Sequence, residues 1–166
     1  MTTSATDDTC AVPPPSAEPH ELSVTRSIAA SPETVYRVWT ERTSEWFAPR
    51  PYTTPGVEFD LRPGGICRTD MRAPDGTDMP MQGVFLEVVP NRKIVTTDAF
   101  RVGWVPQGPF MTMVATFEPE GSGTRYTARA RHWSAESRAK HAAMGFAEGW
   151  GICADQLAAL AEASGA

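Results

Sequence analysis

At 166 residues with 41% hydrophobic content, the chain is long enough to bury one substantial core and reads as a single domain. A net charge of −5 weighs against nucleic acid as a partner, because phosphate binding calls for a basic face. No apolar run approaches the roughly 20 residues of a membrane span, and the N-terminus shows no signal-peptide pattern, so a cytoplasmic location is expected.

Residues 1–19 are rich in Thr, Ser, Ala and Pro, include Pro13-Pro14-Pro15 and lack periodicity, so they read as a disordered leader before one domain at 20–163. Leu22, Val24, Arg26 and Ile28 alternate with small polar residues and predict a first strand. Ser31-Pro32-Glu33-Thr34 then starts a helix, with Ser31 as N-cap and Pro32 in the first helical position. Val35, Tyr36, Val38 and Trp39 form its apolar side, and 44–47 reads as one further turn before Pro49. Strands follow at 57–61, 66–71, 79–89, 93–100, 110–117 and 124–133. Pro74-Asp75-Gly76 and Glu120-Gly121-Ser122-Gly123 mark hairpin turns. In the strand at 79–89 the alternation is ambiguous, with Val84, Leu86 and Val88 on one side and Phe85 and Val89 on the other.

The chain ends in a long helix that begins near His141 and contains Met144-Gly145-Phe146-Ala147-Glu148-Gly149-Trp150. On a helical wheel Ala142, Phe146, Gly149, Trp150, Cys153, Leu157 and Leu160 share one arc, while Lys140, Glu148 and Asp155 lie away from it. Gly145 and Gly149 each cost roughly 1 kcal/mol in a helix interior, which suggests close approach of backbone or ligand, or a need for cavity space. The order is β, two short helices, a six-strand antiparallel meander and one long helix. That is an α+β layer design in which a curved sheet around a helix leaves an interior hollow.

This order and its wording resemble the helix-grip, START-like (SRPBCC) superfamily, and more closely its branch related to the activator of the heat-shock-protein ATPase. The matching residues include Ala30 to Tyr36 with Trp39 and Trp46-Phe47, then Phe59-Asp60-Leu61-Arg62-Pro63-Gly64-Gly65. Pro74-Asp75-Gly76, the strand from Gly83 to Pro90 with Arg92, Met111-Thr112-Met113, Thr124-Arg125 and His141 to Trp150 complete the pattern. The resemblance implies a curved antiparallel sheet of six to seven strands wrapped around a long C-terminal helix, with two short helices after strand 1. Members of the superfamily carry lipids, sequester aromatic molecules, cyclise polyketides or touch chaperones, and the fold alone does not choose among them.

Strand alternation predicts which side chains face the hollow. Charged Arg129 and Arg131 turn outward, so Tyr126, Ala128, Ala130 and His132 turn in; Met111, Met113, Ala115 and Phe117 do so from the preceding strand, and Cys67, Thr69 and Met71 from the third. Met and aromatic side chains either fill a core or line an adaptable apolar pocket. Trp39, Trp46, Phe47, Trp104 and Phe110 fall on or beside connecting segments, which in this fold line the cavity mouth. The loop 102–109 holds Trp104 between two glycines and two prolines, as a lid or as a ring packed on the sheet edge.

The expected ligand-binding set is therefore Trp39, Trp46, Met71, Trp104, Phe110, Met111, Met113, Tyr126, Ala128, His132, Gly145 and Gly149. His132 is the candidate general base or hydrogen-bonding residue, or else a core histidine held by a carbonyl; His141 is expected to be exposed. Neither a metal nor a cofactor is expected: Cys10, Cys67 and Cys153 are odd in number and form no CxxC pair, and two histidines lack a third ligand. The expected function is binding of a small apolar or aromatic molecule. The alternatives are a cyclase- or hydratase-type enzyme using His132 with Tyr126 or Glu87, and a chaperone-activating interaction module. A homodimer through the outer sheet face is compatible with the chain.

Overall fold

The computed structural model describes residues 20–165. The predicted leader at 1–19, with Cys10, lies outside the described residues. Strand β1 (His20–Ile28) leads to helix α1 (Pro32–Glu41) and the single turn α2 (Thr43–Trp46). Ser31 caps α1 as expected, accepting from the Thr34 backbone N–H at 3.2 Å. Strands β2 (Thr53–Phe59), β3 (Ile66–Arg72), β4 (Asp78–Val89) and β5 (Lys93–Thr97) follow. A two-residue ribbon pairs β6 (Phe100–Arg101) with β7 (Val105–Pro106), and β8 (Thr112–Glu120) and β9 (Gly123–His132) complete the sheet. The seven long strands run in the order β1-β9-β8-β5-β4-β3-β2, all antiparallel. Helices α3 (Ala135–Ala143) and α4 (Phe146–Ser164) close the chain.

Two departures from expectation have local causes. The terminal helix is broken: Gly145 stands at φ 90, ψ 34 between α3 and α4, in the left-handed region where a side chain is disfavoured. Gly145 is thus a hinge rather than a helix-interior glycine. The ambiguous alternation of β4 comes from a bulge, since Phe85 pairs with Thr96 while Glu87 pairs with Val95 and Val88 with Ile94. The extra residue, Leu86, shifts the phase so that Phe85 and Val88 share a face.

The register transmits that face across the sheet. Tyr126, Ala128, Ala130 and His132 of β9 lie beside Phe117, Ala115 and Met113 of β8, then Ile94 and Thr96 of β5, Phe85 and Gly83 of β4, Cys67 of β3 and Phe59 of β2. Further along the same face come Thr69, Met71, Met79, Met81 and Val57. This is the face on which the helices pack, with α4 lying chiefly over β1. The opposite face is polar: Glu21 pairs with Arg129 and Arg131, and Thr25 with Thr127.

Candidate functional site

The helix-covered face has two unlike ends. At the Tyr126 end, Trp39, Trp46, Phe59, Phe85 and Phe117 interlock at ring-centroid distances of 5.4 to 6.5 Å. Trp39 Nε1 donates to the Tyr126 hydroxyl at 3.2 Å, and burial pushes that phenol well above its ordinary range. This end is solid core. It includes Ala115 and Ala128 together with Ala154 and Leu157 of α4, so small side chains here let helix and sheet approach.

Toward the His132 end the packing opens. Cys67 and Met113 of the sheet, Phe47 beyond α2, and Trp150 and Cys153 of α4 pack on the core but stay partly exposed. The open surface continues through Thr96 and Met71 to Val57, Met79 and Met81, whose exposures are 37 to 40%. The result is a partly exposed, methionine-rich strip of the sheet face, which we call the trough. Cys153 is held by its Sγ donating to the Phe47 carbonyl at 2.7 Å, and burial raises both the Cys67 and the Cys153 thiols to about 12.

A histidine pair lies beside Phe110 and Trp150. The His132 Nδ1 lies 3.0 Å from the His20 carbonyl oxygen, which can only accept, so Nδ1 carries the proton. In the neutral ring Nε2 is then an acceptor, and it lies 2.8 Å from His141 Nδ1, which must donate to it. That tautomer leaves His141 Nε2 with a lone pair that no other described residue is seen to engage; it is not a sealed, orphaned acceptor, since the one such buried side-chain atom among the described residues is Thr54 Oγ1. Phe110, Phe146 and Trp150 surround the His141 ring at 4.8, 5.0 and 5.8 Å. Burial, with His132 alongside, lowers the His141 pKa to about 4, so the ring is neutral at physiological pH. Neighbouring elements fix the pair: Ser134 caps α3, Arg138 donates to the Glu21 carbonyl at 2.8 Å, and Asp98 accepts from the Phe110 and Met111 N–H groups at 2.8 and 3.2 Å.

The expected set divides accordingly. Phe110 meets His132 at a ring-centroid distance of 5.9 Å, with Met111 next to it in the chain; Met113 lies beside Ala130 on the same face, whereas Met71 is on β3, four strands across the sheet from His132. Trp39 and Trp46 do not line a mouth; they lie on α1 and α2 and are buried in the core, because both indoles pack between helix and sheet. Tyr126 and Ala128 belong to the same solid end. Tyr126 is six residues from His132 on one strand, about 20 Å at the usual rise, too far to assist it. Glu87 is also unavailable as a helper, since it pairs with Lys93 on the opposite face at 2.9 Å. Trp104 is 54% exposed, stands edge-on to Phe100 and lies beside Gly64 in the β2–β3 turn. Gly149 has only Pro49 near its missing side chain, at an ordinary 3.9 Å. The residue that sequence reasoning misplaced is His141, expected at the surface yet 7% exposed. Helix α3 follows β9 directly and lies against β1 and β9, which brings His141 to His132, and Gly145 ends it there. Among the described residues no group of three His, Cys, Asp or Glu side chains gathers to hold a metal.

Residues 29–162 match the family described as activator of Hsp90 ATPase homolog 1-like protein. The chain belongs to this family. Among solved structures, protein NE0264 from Nitrosomonas europaea is similar at 38% identity and a TM-score of 0.83, covering 87% of this chain and 95% of that one. Protein Ms6760 from Mycobacterium smegmatis shares 25% identity with a TM-score of 0.71, covering 84% and 89% of the two chains. No curated protein matches. Family membership accords with the helix-grip architecture: a seven-stranded antiparallel sheet, short helices after β1 and a long final helix. No helix among the described residues is long and apolar enough to cross a membrane.

Proposed function

We propose that this family member takes up a small apolar or aromatic molecule in the trough at the His132 end of the sheet. The observation that carries the reading is the contrast within one face. Phe85 and Phe117 are sealed in the core, whereas Met113, Met71, Met79 and Met81 on the same face stay accessible. Flexible thioethers beside aromatic rings adapt to varied apolar shapes, and so wide an apolar surface would otherwise stand against water. Burying about 200 Å² of an aromatic ligand is worth about 5 kcal/mol, enough for binding below about 1 mM.

The test is calorimetric titration with 1-methylindole, an aromatic probe without a hydrogen-bond donor. The wild-type chain should bind it with a Kd below about 1 mM. Met113→Trp, which puts a bulky ring in the trough, should weaken binding at least tenfold while Tm moves by only a few degrees. Absence of binding, or undiminished affinity in the folded variant, would remove this reading.

A further inference from the structure

We propose that His141 Nε2 is the hydrogen-bond acceptor that selects, among aromatic molecules entering the trough, those carrying an O–H or N–H donor on the ring. The proposal rests on the trough being the ligand site and adds the chemistry of its preferred occupant. Four observations converge on it. The chain from the His20 carbonyl through His132 to His141 is directional: a carbonyl can only accept, so each ring donates through Nδ1 toward its predecessor. The last nitrogen in the chain, His141 Nε2, therefore ends in a lone pair. Among the described residues no group is seen to donate to it, and it is not a sealed, orphaned atom, since Thr54 Oγ1 is the one buried side-chain atom among them without a partner. Finally, Phe110 and Trp150 flank the imidazole at 4.8 and 5.8 Å, which gives an incoming aromatic ring apolar faces to pack on beside it.

His132 takes a different part from the one its position on the strand suggested. Both of its ring nitrogens are engaged, so it acts as a positioning residue that sets the tautomer of His141. A phenol, enol or indole N–H would donate to Nε2, whereas an ether or N-alkylated analogue would leave the nitrogen desolvated and unpaired. That asymmetry makes an acceptor among aromatic rings discriminating once a ligand covers it.

The experiment is a comparison of indole with 1-methylindole by calorimetry on the full chain at pH 7. Indole should bind roughly tenfold tighter to the wild type, the ratio expected for one added hydrogen bond. In His141→Phe the two affinities should become equal, with 1-methylindole still bound. Equal affinities in the wild type, or an indole preference that survives in His141→Phe, would overturn the proposal while leaving the trough reading intact. Failure of both probes to bind would remove the two together. Should His141→Phe not fold, long-range 15N NMR of the wild type decides: indole should shift the His141 Nε2 resonance far more than 1-methylindole does, and equal shifts would overturn the assignment.

Discussion

The break between α3 and α4 makes a prediction whose sign, not merely its size, is at stake. In an unbroken helix Gly145→Ala would relieve the propensity penalty of glycine and stabilise the fold by roughly 1 kcal/mol. In the structure Gly145 has φ 90 and ψ 34, and a methyl group there would meet no atom within 4 Å. The substitution therefore introduces no clash, and its cost is the backbone penalty for a left-handed L-residue, about 1 to 2 kcal/mol. For a domain of this size that lowers Tm by about 2 to 8 °C. Gly149→Ala is the internal control: it lies within α4 and its new methyl would make an ordinary 3.9 Å contact with Pro49. It should raise stability by about 0.5 to 1 kcal/mol. Urea unfolding of both variants, with thermal melts alongside, measures the pair. A stabilised Gly145→Ala would refute the left-handed break between α3 and α4.

Phe85→Ala should cost about 3 to 5 kcal/mol in urea unfolding, because the ring is fully buried between Phe59 and the helices. The lowered His141 pKa gives a pH dependence. Above about 6.5 the group is neutral in both states; between about 6.5 and 4 the unfolded chain binds a proton that the native one refuses, so stability falls as pH falls. The loss amounts to up to about 3 kcal/mol and should be absent from His141→Phe when unfolding is measured at pH 7, 5.5 and 4.5. Cys67 and Cys153, with thiols near 12, should resist iodoacetamide at pH 8 until denaturant is added, as peptide mass spectrometry would show. The Arg26–Asp155 ion pair, at 2.6 Å but largely solvated, should contribute less than about 1 kcal/mol in a double-mutant cycle and weaken with salt.

Much of the architecture was legible because its signals are local. Ser31-Pro32 starts α1, Glu120 to Gly123 turns β8 into β9, and the alternation of β3, β8 and β9 assigned Cys67, Met113, Tyr126 and His132 to the face that the structure gives them. Local signals failed where the phase of a pattern changed. The bulge at Leu86 made β4 unreadable, and Gly145, which looked like a costly helix glycine, is where the helix stops.

The sequence by itself determined the inventory: an α+β chain of strands, short helices after the first strand and helix at the C-terminal end, with methionines, aromatics and a histidine on one face. Only the tertiary structure decided which of those side chains are core and which are site. Trp39, Trp46, Tyr126 and Met113 carry the same apolar signature, yet the helices seal the first three and leave the fourth accessible. It also decided that His141 is buried against His132, since a hydrogen bond between residues on a strand and a separate helix has no local pattern to announce it. Periodicity reports which face a side chain occupies; what covers that face depends on chain segments far away in sequence.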